Sequence, residues 1–522
     1  MADPYYLTTA INYPNGRPHI GHAYEAIAAD VIARFQRWMG REVRFQTGTD
    51  EHGLKMARKA EEQGRTPRQL ADEMSSYFRE MDEVLNISFD RFIRTVEEDH
   101  HRASQALWQA MERAGDLYLD RYEGWYSIRD EAYYDESELT GEGEERLSPQ
   151  GTPVEWTVEE SWFFRLSKYQ DRLLELLRSP GFCEPESRRN EMIAFVSGGL
   201  KDLSVSRTSF DWGVKVPGAE RHVMYVWVDA LTNYLTGLGY PEDTPELRQF
   251  WPASLHLVGK DIVRFHTVYW PAFLMSAGLP LPRKVFGHGF ILNRGQKESK
   301  SLGNVTDPME LAERFGVDNL RYFLMREVAF GQDGSYSSEA IVNRCNAELA
   351  NSFGNLVQRT LSMIAKNMDG ILEPVTMDEA DRALLAQVSK ACRVELPGEF
   401  EALAFSQGIE AWMQAVWACN RYVDEQAPWT LRKTDPARMK VVLSTLFMAI
   451  RDLALAIQPV VPERASEVLT MIGIDEHMRD FSAYADDDWF ARLIESQHRV
   501  APPTAVFPRL ELPESEPVDV NR

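Results

Sequence analysis

Across residues 19 to 39 the apolar side chains of Ile27, Val31 and Phe35 recur every four positions and Gly40 closes the run, which predicts a helix with one core-facing side. Just before it, residues 5 to 11, YYLTTAI, are β-prone and lead straight into Asn12, Pro14, Asn15, Gly16 and Pro18, a cluster of turn formers. Residues 41 to 47, REVRFQT, alternate as a strand does and break at Gly48 before another helical stretch. Strand, turn, helix and strand in this order predict the βαβ opening of a doubly wound sheet. The pattern returns at 222 to 235, HVMYVWVDALTNYL, and at 254 to 277, SLHLVGKDIVRFHTVYWPAFLMSA, so one sheet divided by an insertion is expected.

From about 116 to 215 the periodicity gives way to acidic, turn-rich sequence such as DEAYYDESELTGEGEERLSPQGTP, read as an inserted subdomain. From about 337 onward the pattern is helical. Leu349, Phe353, Leu356 and Ile364 share a face within 343 to 367, and Phe405, Ile409, Trp412, Val416 and Val423 share one within 401 to 424. Thr434, Asp435 and Pro436 supply an N-cap and a first-turn proline for a helix through Ile457, with Pro459 and Pro462 beyond it. The fold class is therefore α/β, a doubly wound (Rossmann-type) parallel sheet split by a connective insertion, followed by an all-α helix bundle. The expected divisions are 1–115 and 216–285 for the halves of the sheet domain, 116–215 for the insertion, 286–342 for a connecting region with a basic loop, 343–500 for the helical domain, and 501–522 for a Pro- and Glu-rich tail.

Composition narrows the class. A chain of 522 residues, 44% hydrophobic and 11% aromatic, is globular and long enough for several domains. It holds no run of about 18 uncharged apolar residues, so no membrane segment is expected. The opening MADPYYLTTA has neither a basic n-region with an apolar core nor an Arg-rich character, and the four cysteines lie far apart with no C-x-x-C pair. A reducing, cytoplasmic setting and no structural zinc follow as expectations. The net charge of −23 speaks against a polyanion partner, yet it is a global sum and leaves room for a local basic face.

Two stretches carry candidate chemistry. His19 and His22 stand three apart around Gly21, on the first turn of a helix at the carboxyl end of a strand, where free N–H groups and the helix dipole favour an anion. Glycine there would let a nucleotide approach the backbone, and imidazoles can hydrogen-bond phosphate oxygens; on spacing alone, a satisfied surface pair fits equally well. Far along the chain Lys297 and Lys300, flanked by Ser299, Ser301 and Gly303, form a basic loop that either clamps phosphates or is simply solvated. Asp50, in TGTDEHG at the end of a strand, suits an amino group or a helix N-cap. Ile11, Tyr13, Trp227, Ala230, Tyr234, Asp261, Ile262, Phe265 and His266 follow strand ends and would build either a largely aromatic pocket or core.

PHIGH at 18–22 with KESKSLGN at 297–304 resembles the paired HIGH and KMSKS signatures of the class I aminoacyl-tRNA synthetases. GTDEHGLK (48–55), YVWVDALTNY (225–234), VGKDIVRFH (258–266) and NRYVDEQAPW (420–429) resemble the methionyl-tRNA synthetases in particular. The resemblance implies that methionine attacks the α-phosphate of ATP, with Mg²⁺ accompanying the ATP, and that the methionyl group passes to the 3′ end of initiator or elongator tRNA-Met. By the same resemblance, His19, Gly21, His22 and Glu25 match the first ATP signature, Lys297, Ser299 and Lys300 match the phosphate loop, and Asp261 matches a residue near the ribose or adenylate. Asp50 would hold the substrate ammonium, and Ala10, Ile11, Tyr13, Trp227, Ala230, Tyr234, Ile262 and His266 would form the methionine pocket. Asn355, Arg359 and Trp429, with Asn351 on the same polar stripe, match positions that contact the CAU anticodon.

Three departures qualify the match. Glu298 stands where the family usually has Met, which puts an acid beside a triphosphate. The insertion has no cysteine between 122 and 148, so no zinc is expected, although many relatives carry zinc knuckles there. The chain also ends before the dimerising module of some relatives, so a monomer is expected. The alternatives are a leucyl, isoleucyl or valyl enzyme, for which the insertion is short to hold an editing domain, and a tRNA-binding paralogue that does not charge.

Overall fold

The parallel sheet predicted from the opening residues is present. In the computed structural model, which describes residues 3–129, 132–141, 146–293, 295 and 306–512, the chain forms two compact units. One comprises Asp3–Ala29 with Val43–His288, the other Asp30–Glu42 with the chain from Gly289 onward. Strand β1 (Pro4–Thr9), helix α1 (Ile20–Trp38) and strand β2 (Glu42–Thr49) follow the expected order.

In the first unit six strands lie in the order Arg91–Arg94, β2, β1, Leu255–Gly259, Val285–His288 and Cys183–Glu184. The pairs Leu7↔Leu255, His256↔Val285, Gln46↔Arg91 and Val285↔Cys183 are all parallel. Tyr6, Leu7, Thr8 and Thr9 are all buried, as expected of a strand covered on both faces. On α1 the positions Ile27, Val31 and Phe35 are buried, and Gly40 takes φ +84° just past the helix end, a left-handed conformation that glycine adopts without cost.

The segment 222–235 departs from the expectation. Its helix, Val226–Thr236, is present, but the strand before it, Ala219–Met224, pairs antiparallel with Lys215–Val216 and Ser206–Arg207 in a separate three-stranded sheet. Glu220 and Arg221 are exposed there, which a strand buried on both faces does not allow. Within 116–215, Ala132–Tyr134, Leu117–Ser127, Glu155–Phe164 and Leu203–Ser204 form a four-stranded antiparallel sheet, while Cys183–Glu184 leaves it to become the edge of the parallel sheet.

The second unit is mainly helical. Ser338–Cys345 runs through a π-helical stretch, Asn346–Gly354, into Asn355–Asn367, and the longest helices are Phe405–Gln426 and Pro436–Ile457. The apolar faces read from the sequence point inward, for Leu349, Phe353, Leu356, Ile364, Phe405, Ile409, Trp412, Val416 and Val423 are all buried. Asp435 caps the second long helix by accepting from the backbone N–H of Arg438 at 3.0 Å, with Pro436 at the first position. Ala427 joins Phe405–Gln426 to the next short helix, Pro428–Thr434, at φ +44°, which costs an alanine about 1 kcal/mol and turns the chain sharply just before Trp429.

Candidate functional site

At the carboxyl end of the parallel strands, the turn after β1 leads into α1, and the two histidines interlock. The backbone N–H of Gly21 donates to His19 Nδ1 at 3.0 Å, and that of His19 donates to His22 Nδ1 at 3.1 Å. Because both Nδ1 atoms accept, each neutral ring carries its proton on Nε2, which makes that nitrogen the donor. The ring centroids are 3.8 Å apart, and His22 meets Phe78 edge-on at 5.0 Å. A Cβ at Gly21 would lie 2.9 Å from His19 Cε1, so the first thing the glycine makes room for is the His19 ring itself. Glu25, one turn on, accepts from His288 Nε2 at 2.7 Å, and His288 ends the strand Val285–His288.

Asp50 follows β2, and its backbone N–H donates to the carbonyl of Asn12 at 2.9 Å while Asn12 N–H donates to Gly48 at 2.8 Å. The two strand ends are thereby knotted together, with the Asp50 side chain buried. The N-cap alternative does not hold for this residue, since the next helix, Leu54–Glu62, has Gly53 at its cap. Nearby, Tyr13 accepts from Met56 N–H at 3.1 Å through its hydroxyl.

The aromatic positions come together in the same unit. Trp227 stacks on Phe265 with centroids 3.7 Å apart and 9° between planes, and meets His266 edge-on at 6.2 Å. His266 Nδ1 lies 2.9 Å from the carbonyl of Ile262 and so must donate to it, leaving Nε2 to accept from the Tyr234 hydroxyl at 2.6 Å. Burial pushes the His266 imidazole down to about 4, and burial above all keeps the Tyr234 phenol protonated. The wall is therefore neutral and aromatic. Ala230 is buried on the same helix as Trp227 and Tyr234, and Ala10 lies just past β1 with its N–H on Leu257. Asp261 sits in the turn after Leu255–Gly259, where its Oδ1 would be 2.8 Å from a Cβ at Gly259.

Lys297, Ser299 and Lys300, together with Glu298, lie outside the described residues. In the helical unit Arg359 donates to Asp424 at 3.2 Å, and its guanidinium carbon is 5.2 Å from the ring centroid of Trp429, which is 45% exposed. Asn355 opens the helix Asn355–Asn367 one turn before Arg359 and is half-buried, while Asn351 is exposed on the preceding π-helical stretch. Among the described residues no group of three or more His, Cys, Asp or Glu side chains is disposed to hold a metal ion.

Residues 5–361 match the family model described as tRNA synthetases class I (M), and residues 372–517 match the anticodon binding domain of methionyl tRNA ligase. The methionine–tRNA ligase of Brucella suis biovar 1 is 57% identical over 511 residues, covering 97% of this chain and 98% of the relative. That of Mycobacterium tuberculosis (strain CDC 1551 / Oshkosh) is 55% identical over 519 residues, covering 98% and 99%. The chain belongs to the methionyl-tRNA synthetase family. A solved structure of the Mycobacterium tuberculosis methionyl-tRNA synthetase in complex with methionyl-adenylate superposes with a TM-score of 0.92 at 54% identity, covering 97% of this chain and all of that one.

Family membership decides against the leucyl, isoleucyl and valyl alternatives. Some of what stands around the site was not singled out in the sequence. His288 reaches Glu25 across 263 positions, and Tyr6 supports Tyr234 by donating to its carbonyl at 2.9 Å. His52 stands in GTDEHG with nothing local to mark a role, and its carboxylate partner, Asp229, lies within an apolar run.

Proposed function

We infer that the neutral aromatic wall of Trp227, Tyr234 and His266, set in one unit with Asp50 and the His19/His22 turn, is where methionine meets ATP. The chain activates methionine with ATP to methionyl-adenylate and transfers the methionyl group to the 3′ end of tRNA-Met. The observation that carries the assignment of the pocket is the Tyr234–His266 hydrogen bond, which, with His266 Nδ1 given to the Ile262 carbonyl, engages the phenol proton and both ring nitrogens within the protein and leaves no charge to favour a polar amino acid. A thioether, polarizable and apolar, suits ring edges of this kind.

In this reading Asp50 pairs with the substrate ammonium, and Ala10, Ile11, Tyr13, Ala230 and Ile262 complete the pocket. The carboxylate of methionine is already ionised, so an oxygen of it attacks the α-phosphorus directly, an O–P bond forms, and pyrophosphate leaves with the bridging oxygen. No general base is required. His19 and His22 offer Nε2–H donors to phosphate oxygens as charge builds, and Gly21 keeps His19 in place to do so. Glu25, Asp261 and Ser299 complete the nucleotide side, and Lys297 and Lys300 neutralise the departing pyrophosphate. Mg²⁺ enters with ATP as part of the substrate, and no zinc is assigned, since 122–148 holds no cysteine.

For the tRNA end, Trp429 offers an exposed indole for a base to stack on, while Asn355 and Arg359 offer hydrogen-bond donors to base edges. Both initiator and elongator tRNA-Met, which share CAU, are substrates in this reading. The enzyme acts as a cytoplasmic monomer. No helix of the described residues is long and apolar enough to cross a membrane. The test is aminoacylation of tRNA-Met transcripts with CAU or an altered anticodon: charging that requires CAU supports the assignment, and equal charging of both contradicts it.

A further inference from the structure

Asp229 lies in the first turn of Val226–Thr236, between Trp227 and Ala230, and only 1% of it is exposed. Two imidazoles hold its carboxylate: His52 donates from Nδ1 to one oxygen at 2.7 Å, and His100 donates from Nε2 to the other, also at 2.7 Å. The other nitrogen of His100 is 3.0 Å from the Thr236 hydroxyl, near the far end of the same helix, and Thr236 donates in turn to the carbonyl of Thr232 at 3.1 Å. Burial pushes the Asp229 carboxyl up, but the charge of His52 and the hydrogen bonds from both rings outweigh it and hold the group below the usual carboxylate range. The helix N-terminus adds to this preference for a negative charge.

A buried carboxylate with two imidazole partners is an expensive way to fill space, since apolar residues of like volume often serve stability as well or better. What the pair does achieve is a directional link. His52 is two residues after Asp50, in the loop that follows β2. The other side of that loop is anchored through Glu51, whose backbone N–H donates to Thr95 at 2.9 Å and whose carboxylate takes two hydrogen bonds from Arg94 at 2.7 Å each. Trp212 Nε1 donates to the Glu51 carbonyl at 2.6 Å. His52–Asp229 thus ties the loop bearing Asp50 to the helix bearing Trp227, Ala230 and Tyr234.

We infer that His52 and Asp229 are a positioning pair for methionine: their hydrogen bond sets the Asp50 carboxylate at the spacing from the side-chain pocket that one amino acid, gripped at both ends, requires. His100 braces the pair from the helix Glu98–Arg113. The inference rests on the reading of Asp50 as the ammonium site. A substrate held at two points is sensitive to their separation, and a misplacement of about 1 Å can cost up to roughly a hundredfold.

The experiment is ATP–pyrophosphate exchange on the full-length enzyme with His52→Ala, His52→Asn, Asp229→Asn, the double variant His52→Ala/Asp229→Asn, and Asp50→Asn. His52→Ala is expected to raise the KM for methionine about tenfold while the KM for ATP stays within about twofold. His52→Asn places an amide nitrogen where Nδ1 stood and is expected to recover most of the loss. The double variant should be no worse than the worse single one, because both remove the same bond. Equal effects on methionine and ATP, no recovery in His52→Asn, or additive losses would overturn the inference. The two His52 variants decide the matter even if Asp229→Asn does not fold. A raised methionine KM in Asp50→Asn with a normal one in His52→Ala would sink the positioning role alone, whereas a normal one in Asp50→Asn would remove the ammonium reading and the inference with it.

Discussion

The Tyr234 hydroxyl sits 2.6 Å from His266 Nε2, and the opposite nitrogen of that ring is fixed by the Ile262 carbonyl at 2.9 Å. The direction of the hydrogen bond is therefore settled: tyrosine donates and histidine accepts. A ring so held is neutral, orientated and unable to offer a charge to a substrate.

Tyr234→Phe removes the donor and leaves a buried imidazole nitrogen without one, a loss of about 1–3 kcal/mol. The KM for methionine in pyrophosphate exchange should rise about tenfold, the equivalent of roughly 1.4 kcal/mol, with little change in that for ATP. An unchanged methionine KM would show that the hydroxyl does not shape the pocket.

Burial holds His266 near 4 against an ordinary 6.5, and burial with the neighbouring His52 does the same for His101. In the unfolded chain these rings take up protons as pH falls below 6.5, but in the folded chain only near 4, so stability is unaffected above that window and lost as pH falls through it. Asp318, raised by burial to about 6, acts in the opposite sense over part of the range. The comparison is therefore between the parent and His266→Gln in urea unfolding: the parent should lose more stability between the two values. Histidine signals followed by NMR should show two rings titrating near 4, and a His266 ring titrating near its ordinary value would contradict the assignment.

At Gly21 an added methyl carbon would stand 2.9 Å from Cε1 and 3.1 Å from Nδ1 of His19. The ring can swing aside, so Gly21→Ala should fold with a melting temperature within a few degrees of the parent, a shift worth about 1 kcal/mol or less. Adenylate formation should slow about a hundredfold, the scale of one lost transition-state donor, with methionine affinity unchanged. Rapid-quench measurement of adenylate separates the two effects, and a normal rate would deny His19 its role.

How much of this was legible from the chain depended on range. Helix α1, its glycine stop, the Asp435 cap and the inward faces of the helical unit were readable because each is written within about twenty consecutive residues. Cys183–Glu184 was not, since a strand of two residues has no period to detect, nor was the switch of Ala219–Met224 into an antiparallel sheet, which partners 3 to 18 positions upstream determine. The pocket residues could be nominated one by one. Which of them touch was out of reach: His52 finds Asp229 at a separation of 177 residues and His288 finds Glu25 at 263, and nothing local announces either meeting.

Trp429 is held by Pro428 and the left-handed Ala427, and its ring is open to solvent. Trp429→Ala should leave stability and methionine-dependent pyrophosphate exchange nearly intact while raising the KM for tRNA-Met between about fivefold and a hundredfold, the span of about 1–3 kcal/mol for one stacked base. Equal damage to exchange and charging would refute the anticodon assignment.

In the proposed reading a neutral thioether pocket and an ammonium site in one unit select methionine for activation. It is tested most directly by ATP–pyrophosphate exchange with each of the twenty amino acids in turn, on enzyme stripped with a chelator and resupplied with Mg²⁺ only. Exchange with methionine alone is the predicted result. Exchange with leucine or isoleucine at comparable rates, or with no amino acid at all, would contradict it.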